Sequence, residues 1–208
     1  MSRIVIAVFL AAASVAVAQS TGIVWQPPKL DLPDSFPKAS ISKEMITTLR
    51  IGKVPIILEE TRLKDVEKNL GGTIGSRGDA SEALQWLCFH GSDADGRWAL
   101  WLETSEMGGG TVDGFALQRI PGKATVDRRC RTEGAQIDLH IRLRVGLTES
   151  EVRGILGAPT AKYGNTLVFH HEHEEQVRNE PFTASNTVYT VLRGGVVWAI
   201  QVWKTTSN

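Results

Sequence analysis

The feature that most constrains this chain is an internal echo. Asp65-Val66-Glu67-Lys68-Asn69-Leu70-Gly71 is matched in pattern, 86 residues later, by Glu151-Val152-Arg153-Gly154-Ile155-Leu156-Gly157. In both, an acidic residue and a valine open a turn of helix, and Leu-Gly closes it. Leu63, Val66 and Leu70 fall on one helical face, as do Val152, Ile155 and Leu156. Gly71 and Gly157 stand where a left-handed C-cap belongs, and Pro159 follows the second stop. Thr148 with Glu151 fits a capping box, which satisfies two orphan backbone groups at the helix start.

Strand-like segments follow each helix. The first is trailed by Ala83–His90, Trp98–Glu103 and Phe115–Ile120, with a polar turn at Ser92-Asp93-Ala94-Asp95-Gly96. The second is trailed by Leu167–His171, Thr187–Arg193 and Val196–Lys204. Gly194-Gly195 between the last two is a hairpin signal, because both residues accept the positive φ of a primed turn. Val196, Trp198, Ile200 and Val202 share the face expected to pack on the helix. The pattern predicts an α+β chain of two tandem units, residues 40–135 and 136–208, each a helix covering its own antiparallel sheet.

The start of the chain reads as an export signal. Arg3 gives a short positive start, and Ile4–Ala18 is a run of fifteen residues that is apolar apart from Ser14. Ala16-Val17-Ala18 supplies the small-x-small cleavage pattern, so residues 1–18 are expected to be removed. The run is shorter than the roughly 20 residues a spanning helix requires. No cysteine lies near residue 19 to carry a lipid, so a mature form with neither a membrane span nor a lipid anchor is expected, periplasmic or secreted. Residues 19–39 contain Pro27, Pro28, Pro33 and Pro37, which favours an extended arm pinned by Trp25 and Phe36. Ile41–Leu49 reads as a short helix and Val54–Glu59 as an edge strand.

Charge excludes one class of partner. The chain carries 23 basic and 23 acidic side chains, and losing Arg3 leaves 22 against 23, a formal charge of −1. That balance leaves no electrostatic footprint for nucleic acid. The two cysteines, Cys88 and Cys130, are expected to form one bridge in an oxidising compartment, since a reactive pair would show C-x-x-C spacing.

The segment Val145-Gly146-Leu147-Thr148-Glu149-Ser150-Glu151-Val152-Arg153-Gly154-Ile155-Leu156-Gly157-Ala158-Pro159 resembles the opening motif of the SmpA/OmlA family, which includes a small lipoprotein of the outer-membrane assembly machinery. The resemblance covers roughly residues 142–204. Two such units in tandem are also similar to the β-lactamase inhibitor protein fold. The resemblance implies a non-enzymatic binding or scaffolding role in the cell envelope, with a protein partner. It transfers no catalytic residue, because the motif positions are caps and core contacts.

Several clusters are candidate sites. In His170-His171-Glu172-His173-Glu174-Glu175, an extended strand points His171 and His173 to one side, a spacing that can grip Zn²⁺ or Cu²⁺. The competing reading is a polar strand end running into a solvated loop over Glu174–Glu180. Trp98 and Trp101 fall on opposite faces of one strand, as do Trp198 and Trp203. The outward member of each pair either anchors a protein partner or a glycan, or packs between the two sheets. Asp93-Ala94-Asp95-Gly96 lacks the later ligands of a calcium loop and reads as a turn. With no G-x-S-x-G elbow and no Cys–His pair, catalysis is not expected. Three functions stay open: an exported protein-binding module, an extracytoplasmic metal-binding protein using the His/Glu cluster, and an inhibitor of an extracytoplasmic hydrolase.

The cysteine assignment is checked by mass spectrometry. The native chain should take up no alkylating reagent until it is reduced, and reduction should cost about 4 kcal/mol of stability on loop-closure grounds. Alkylation of two thiols before reduction would refute the bridge.

Overall fold

A computed structural model describes residues 23–30, 46–79, 83–106, 108–132, 134, 136–177 and 180–207. The expected signal at 1–18 and Phe36 lie outside them, as does most of the arm.

The chain is predominantly β, which corrects the α+β expectation. Its helices are only eight residues each, α1 (Leu63–Leu70) and α2 (Glu149–Leu156). The two halves do not form separate helix-covered sheets. Instead β4 (Gly75–Arg77), β5 (Leu84–Asp93), β6 (Gly96–Ser105) and β7 (Gly114–Arg119) join β11 (Ala161–Tyr163), β12 (Thr166–Val177), β13 (Glu180–Arg193) and β14 (Val196–Ser207) in one sheet. The strand order is β11-β12-β13-β14-β7-β6-β5-β4, and β9 (Arg131–Thr132) pairs with β5 in parallel as a ninth strand. The echo therefore marks a recurrence of element order, helix then four strands, mirrored about the β14–β7 seam.

An isolated three-stranded sheet leaves two edges of unpaired N–H and C=O groups. Pairing β14 with β7 from Ala199↔Gln118 to Trp203↔Gly114 consumes one edge of each half. The hairpins supply the rest. Gly194 and Gly195, at φ 58° and 82°, make the two-residue turn between β13 and β14. Strands β12 and β13 pair continuously from Thr166↔Val191 to Val177↔Glu180, so residues 174–177 are strand and not the expected loop.

Period-two alternation gives the sheet an inner and an outer face. Leu87, Phe89, Trp98, Leu100, Leu102, Phe115, Leu117, Leu167, Phe169, Val188, Ile200 and Val202 point inward and form the main core. Leu63 and Val66 of α1 and Val152 and Leu156 of α2 cover it. The capping box forms at α2, where the Glu151 N–H donates to the Thr148 hydroxyl and the Thr148 N–H donates to the Glu151 carboxylate. The C-capping Gly71 and Gly157 have positive φ but extended ψ, not the left-handed geometry expected. A small sheet of β10 (Ile137–Asp138), β2 (Thr48–Ile51) and β3 (Val54–Ile57) completes the inner layer. Thr48 and Leu49 are thus strand, correcting the short helix expected over Ile41–Leu49, whose first five residues lie outside the description.

On the outer face a second cluster gathers Trp86, Ala99, Trp101 and Ala116 around the Cys88–Cys130 disulfide. The arm straps this cluster. Here β1 (Ile23–Val24) pairs with β8 (Thr125–Val126) in parallel, and the Trp101 indole N–H donates to the Trp25 carbonyl at 3.0 Å. Trp25 meets Trp86 edge-on at 5.6 Å between ring centroids, and the Arg129 guanidinium sits 4.2 Å over its ring.

Each outer tryptophan of the central row depends on a glycine beside it. A Cβ at Gly114 would come within 2.5 Å of the Trp203 ring. Gly114→Ala should therefore cost about 1–3 kcal/mol by overpacking, read from the denaturant midpoint. In the Trp203→Ala background the same change should cost almost nothing. Equal costs in both backgrounds would refute the close approach.

Candidate functional site

The sheet registers align Gly75, Trp86, Glu103, Gly114, Trp203, Thr187 and His170 in one row across the outer face of seven strands. Glu103, Thr187 and His170 of this row, with the adjoining Asp113 and Gln201, are buried polar residues. Glu103 is 1% exposed, and its Oε1 accepts no hydrogen bond among the described residues. Burial pushes the Glu103 carboxyl up to about 8; Asp113 adds to the rise, while Arg77 and a hydrogen bond from Gln201 oppose it. Burial also raises Asp113, against hydrogen bonds from the backbone N–H and hydroxyl of Ser105.

Further along the row, His170 Nδ1 lies 2.8 Å from the Thr187 hydroxyl and His170 Nε2 lies 3.0 Å from Glu172 Oε1. Thr187 also hydrogen-bonds Tyr189, whose phenol burial pushes up to about 12. Hydroxyl, imidazole and carboxylate in sequence is the order of a nucleophile, a base and its orienting group. Here His170 is 7% and Thr187 8% exposed, so the hydrogen bonds tie β12 to β13 inside an enclosed face. Sequence inspection flagged His170 and Glu172 within the His/Glu stretch but missed Thr187, which meets them only through the β12–β13 register.

The tryptophans are corrected in part. Trp101 is 1% exposed beneath the arm and offers no surface to a partner. Trp203 is half-buried over Gly114, and Trp198 is half-buried beneath the Arg193 guanidinium at 4.4 Å. Trp98 points inward, 6% exposed, and lines a groove.

His171 and His173 do share one side of β12, with ring centroids 5.2 Å apart. Burial, with the charges of His173 and His170, lowers the His171 pKa, favouring the neutral ring. Among the described residues no group of three or more His, Cys, Asp or Glu side chains gathers as a metal cluster. No helix among them is long and apolar enough to cross a membrane.

The groove, of about 390 Å³, lies where the connector between the two halves crosses the end of the β5–β6 hairpin. Its walls are Trp98 and Leu117 from the sheet and Ile137, Leu139, Leu143 and Val145 from the connector. Ser92, Asp93, Asp95, Gln136 and Arg144 form the rim. Arg119 donates to Asp93 at 2.6 Å and also lies 3.4 Å from Asp95, to which Arg144 donates at 2.8 Å, so both rim acids are paired with arginine. The connector alternates Ile137, Leu139, Ile141, Leu143, Val145 and Leu147, a period-two pattern that could have flagged it in the sequence. It is nevertheless not a continuous strand, because His140 and Arg142 adopt φ of 68° and 61°. Non-glycine residues in that region are held there by surrounding contacts and concentrate at functional sites.

No family model, curated protein or solved structure matches the chain, so the SmpA/OmlA resemblance rests on its motif alone.

The buried carboxyl sets a pH dependence. Glu103 keeps its proton to about pH 8 when folded but has an ordinary value of 4.5. Its contribution to stability is complete below 4.5 and is lost as pH rises to about 8, at up to about 1.4 kcal/mol per pH unit. Denaturant midpoints from pH 5 to 8.5 should fall more steeply for the natural chain than for Glu103→Gln. Parallel profiles would remove Glu103 as the cause.

Proposed function

We propose that the protein is an exported, non-catalytic binding module of the cell envelope or extracellular space, which takes an apolar side chain of a protein partner into the Trp98 groove. The observation that carries this reading is the groove's composition, an aromatic and aliphatic floor inside a rim of opposed charges. Binding sites commonly combine a concave apolar lining with a few polar groups that fix orientation. The rim's Asp93, Asp95 and Arg144, with Arg119 buried behind the two acids, fit a partner segment that is apolar at its tip and mixed in charge around it. The disulfide and the apolar run at Ile4–Ala18 support an oxidising compartment outside the cytoplasm. The enclosure of His170 and Thr187 favours binding over hydrolysis.

A photo-crosslinking residue at exposed Gln136, on the groove rim, tests the proposal. In an envelope fraction it should give one discrete protein adduct, and Ser92→Trp, which obstructs the mouth from another exposed rim position, should cut the yield at least fivefold. No adduct, or an adduct indifferent to Ser92→Trp, would overturn the groove as the binding site.

A further inference from the structure

Among the described residues, the inner side of the β12–β13 hairpin carries three buried polar atoms without a hydrogen bond: Thr190 Oγ1, four residues further along β13, and a pair on His171 and Asn186. His171 and Asn186 stand directly opposite each other in the register, so their side chains share a face. Asn186 is 5% exposed, and its Nδ2 donates to the carbonyls of Ile46 and Trp203, both at 3.1 Å. Those partners can only accept, which fixes the amide orientation and identifies the other atom as Oδ1. Among the described residues that Oδ1 accepts no hydrogen bond, and His171 Nδ1 is likewise buried without one. An orphaned acceptor on a side chain this buried costs about 1–3 kcal/mol, so a native site of this kind calls for an occupant.

We propose that His171, His173 and Asn186 form a binding site for one late divalent transition metal ion, Zn²⁺ or Cu²⁺. Two imidazole nitrogens and an amide oxygen give three protein donors, and water completes the shell, as in an open tetrahedral site. The ring spacing fits. With metal–nitrogen bonds of about 2.0–2.1 Å, two imidazoles on a tetrahedral ion place their centroids about 5 Å apart, and these two are 5.2 Å apart. His173 is exposed and gives the ion a route in, while the buried Asn186 closes the floor. This site lies on the opposite face from the His170–Thr187 hydrogen bonds and is independent of the groove.

The test is titration of the chelator-treated full chain, disulfide intact, with ZnCl₂ and with CuCl₂ by calorimetry. One ion per chain is expected, and His171→Ala and His173→Ala should each weaken binding at least tenfold. His140→Ala, which changes a histidine outside the site, should leave it unaltered. Copper-loaded protein should show nitrogen hyperfine coupling from two imidazoles in its paramagnetic resonance spectrum, reduced to one in either variant. Binding below half an ion per chain would overturn the proposal and leave a bridging water between His171 and Asn186 as the occupant. Equal loss in His140→Ala would identify only adventitious surface binding and would overturn it as well.

Discussion

The hydrogen-bonded seam between β7 and β14 is the constraint from which the rest of the structure follows. It lines up Phe115 and Leu117 with Val202 and Ile200, so the inner faces of both halves become one apolar surface. Two helices of eight residues can then share a core that neither half would enclose alone. At roughly 25 cal/mol per Å² of apolar area removed from water, continuity of that surface outweighs any intrinsic helical preference of such short segments. Glu59 fastens the arrangement from the far side. Its carboxylate accepts from the Thr206 N–H at 2.6 Å and meets Lys204 at 2.8 Å, tying the turn before α1 to the end of β14. Burial alone would raise its pKa, but Lys204 and Thr206 together hold it below the ordinary value.

The two faces of the sheet solve different problems. The inner face is a conventional apolar core under helices and the small sheet. Outward, one half is closed by the disulfide, the arm and a cluster of tryptophans, while the other carries hydroxyl, imidazole and carboxyl groups bonded to one another. Polar groups removed from water are tolerable when mutually satisfied, and costly otherwise. Glu103 meets that cost by staying protonated, and Asn186 and His171 are two of several buried side chains, Thr190 among them, whose contacts leave an atom over.

Much of the local structure was legible in the sequence. Alternation located the long strands, the Gly194-Gly195 pair located a turn, and Thr148 with Glu151 located a helix start. Period two also put His171 and His173 on the same side. The assembly was not legible. The sequence shows that each half needs a cover but not that the halves meet through β7 and β14, so two separate units were expected and one sheet was found. Trp101 illustrates the same gap, because its burial depends on Trp25, 76 residues away. The groove was not legible because alternation over Ile137–Leu147 marks an apolar face but not the positive φ at His140 and Arg142 that breaks the strand there.

The mirrored strand order has a temporal side. Strand β14 is the last of the described strands to leave the ribosome, yet it occupies the middle of the sheet. Until it arrives, β7 has an open edge and the helices have half a surface to rest on, so a growing chain holds only hairpins and no finished core. Contacts this distant in sequence form slowly, after loop closure has been overcome. A chain whose central strand comes late completes its shared core only once β14 is in place.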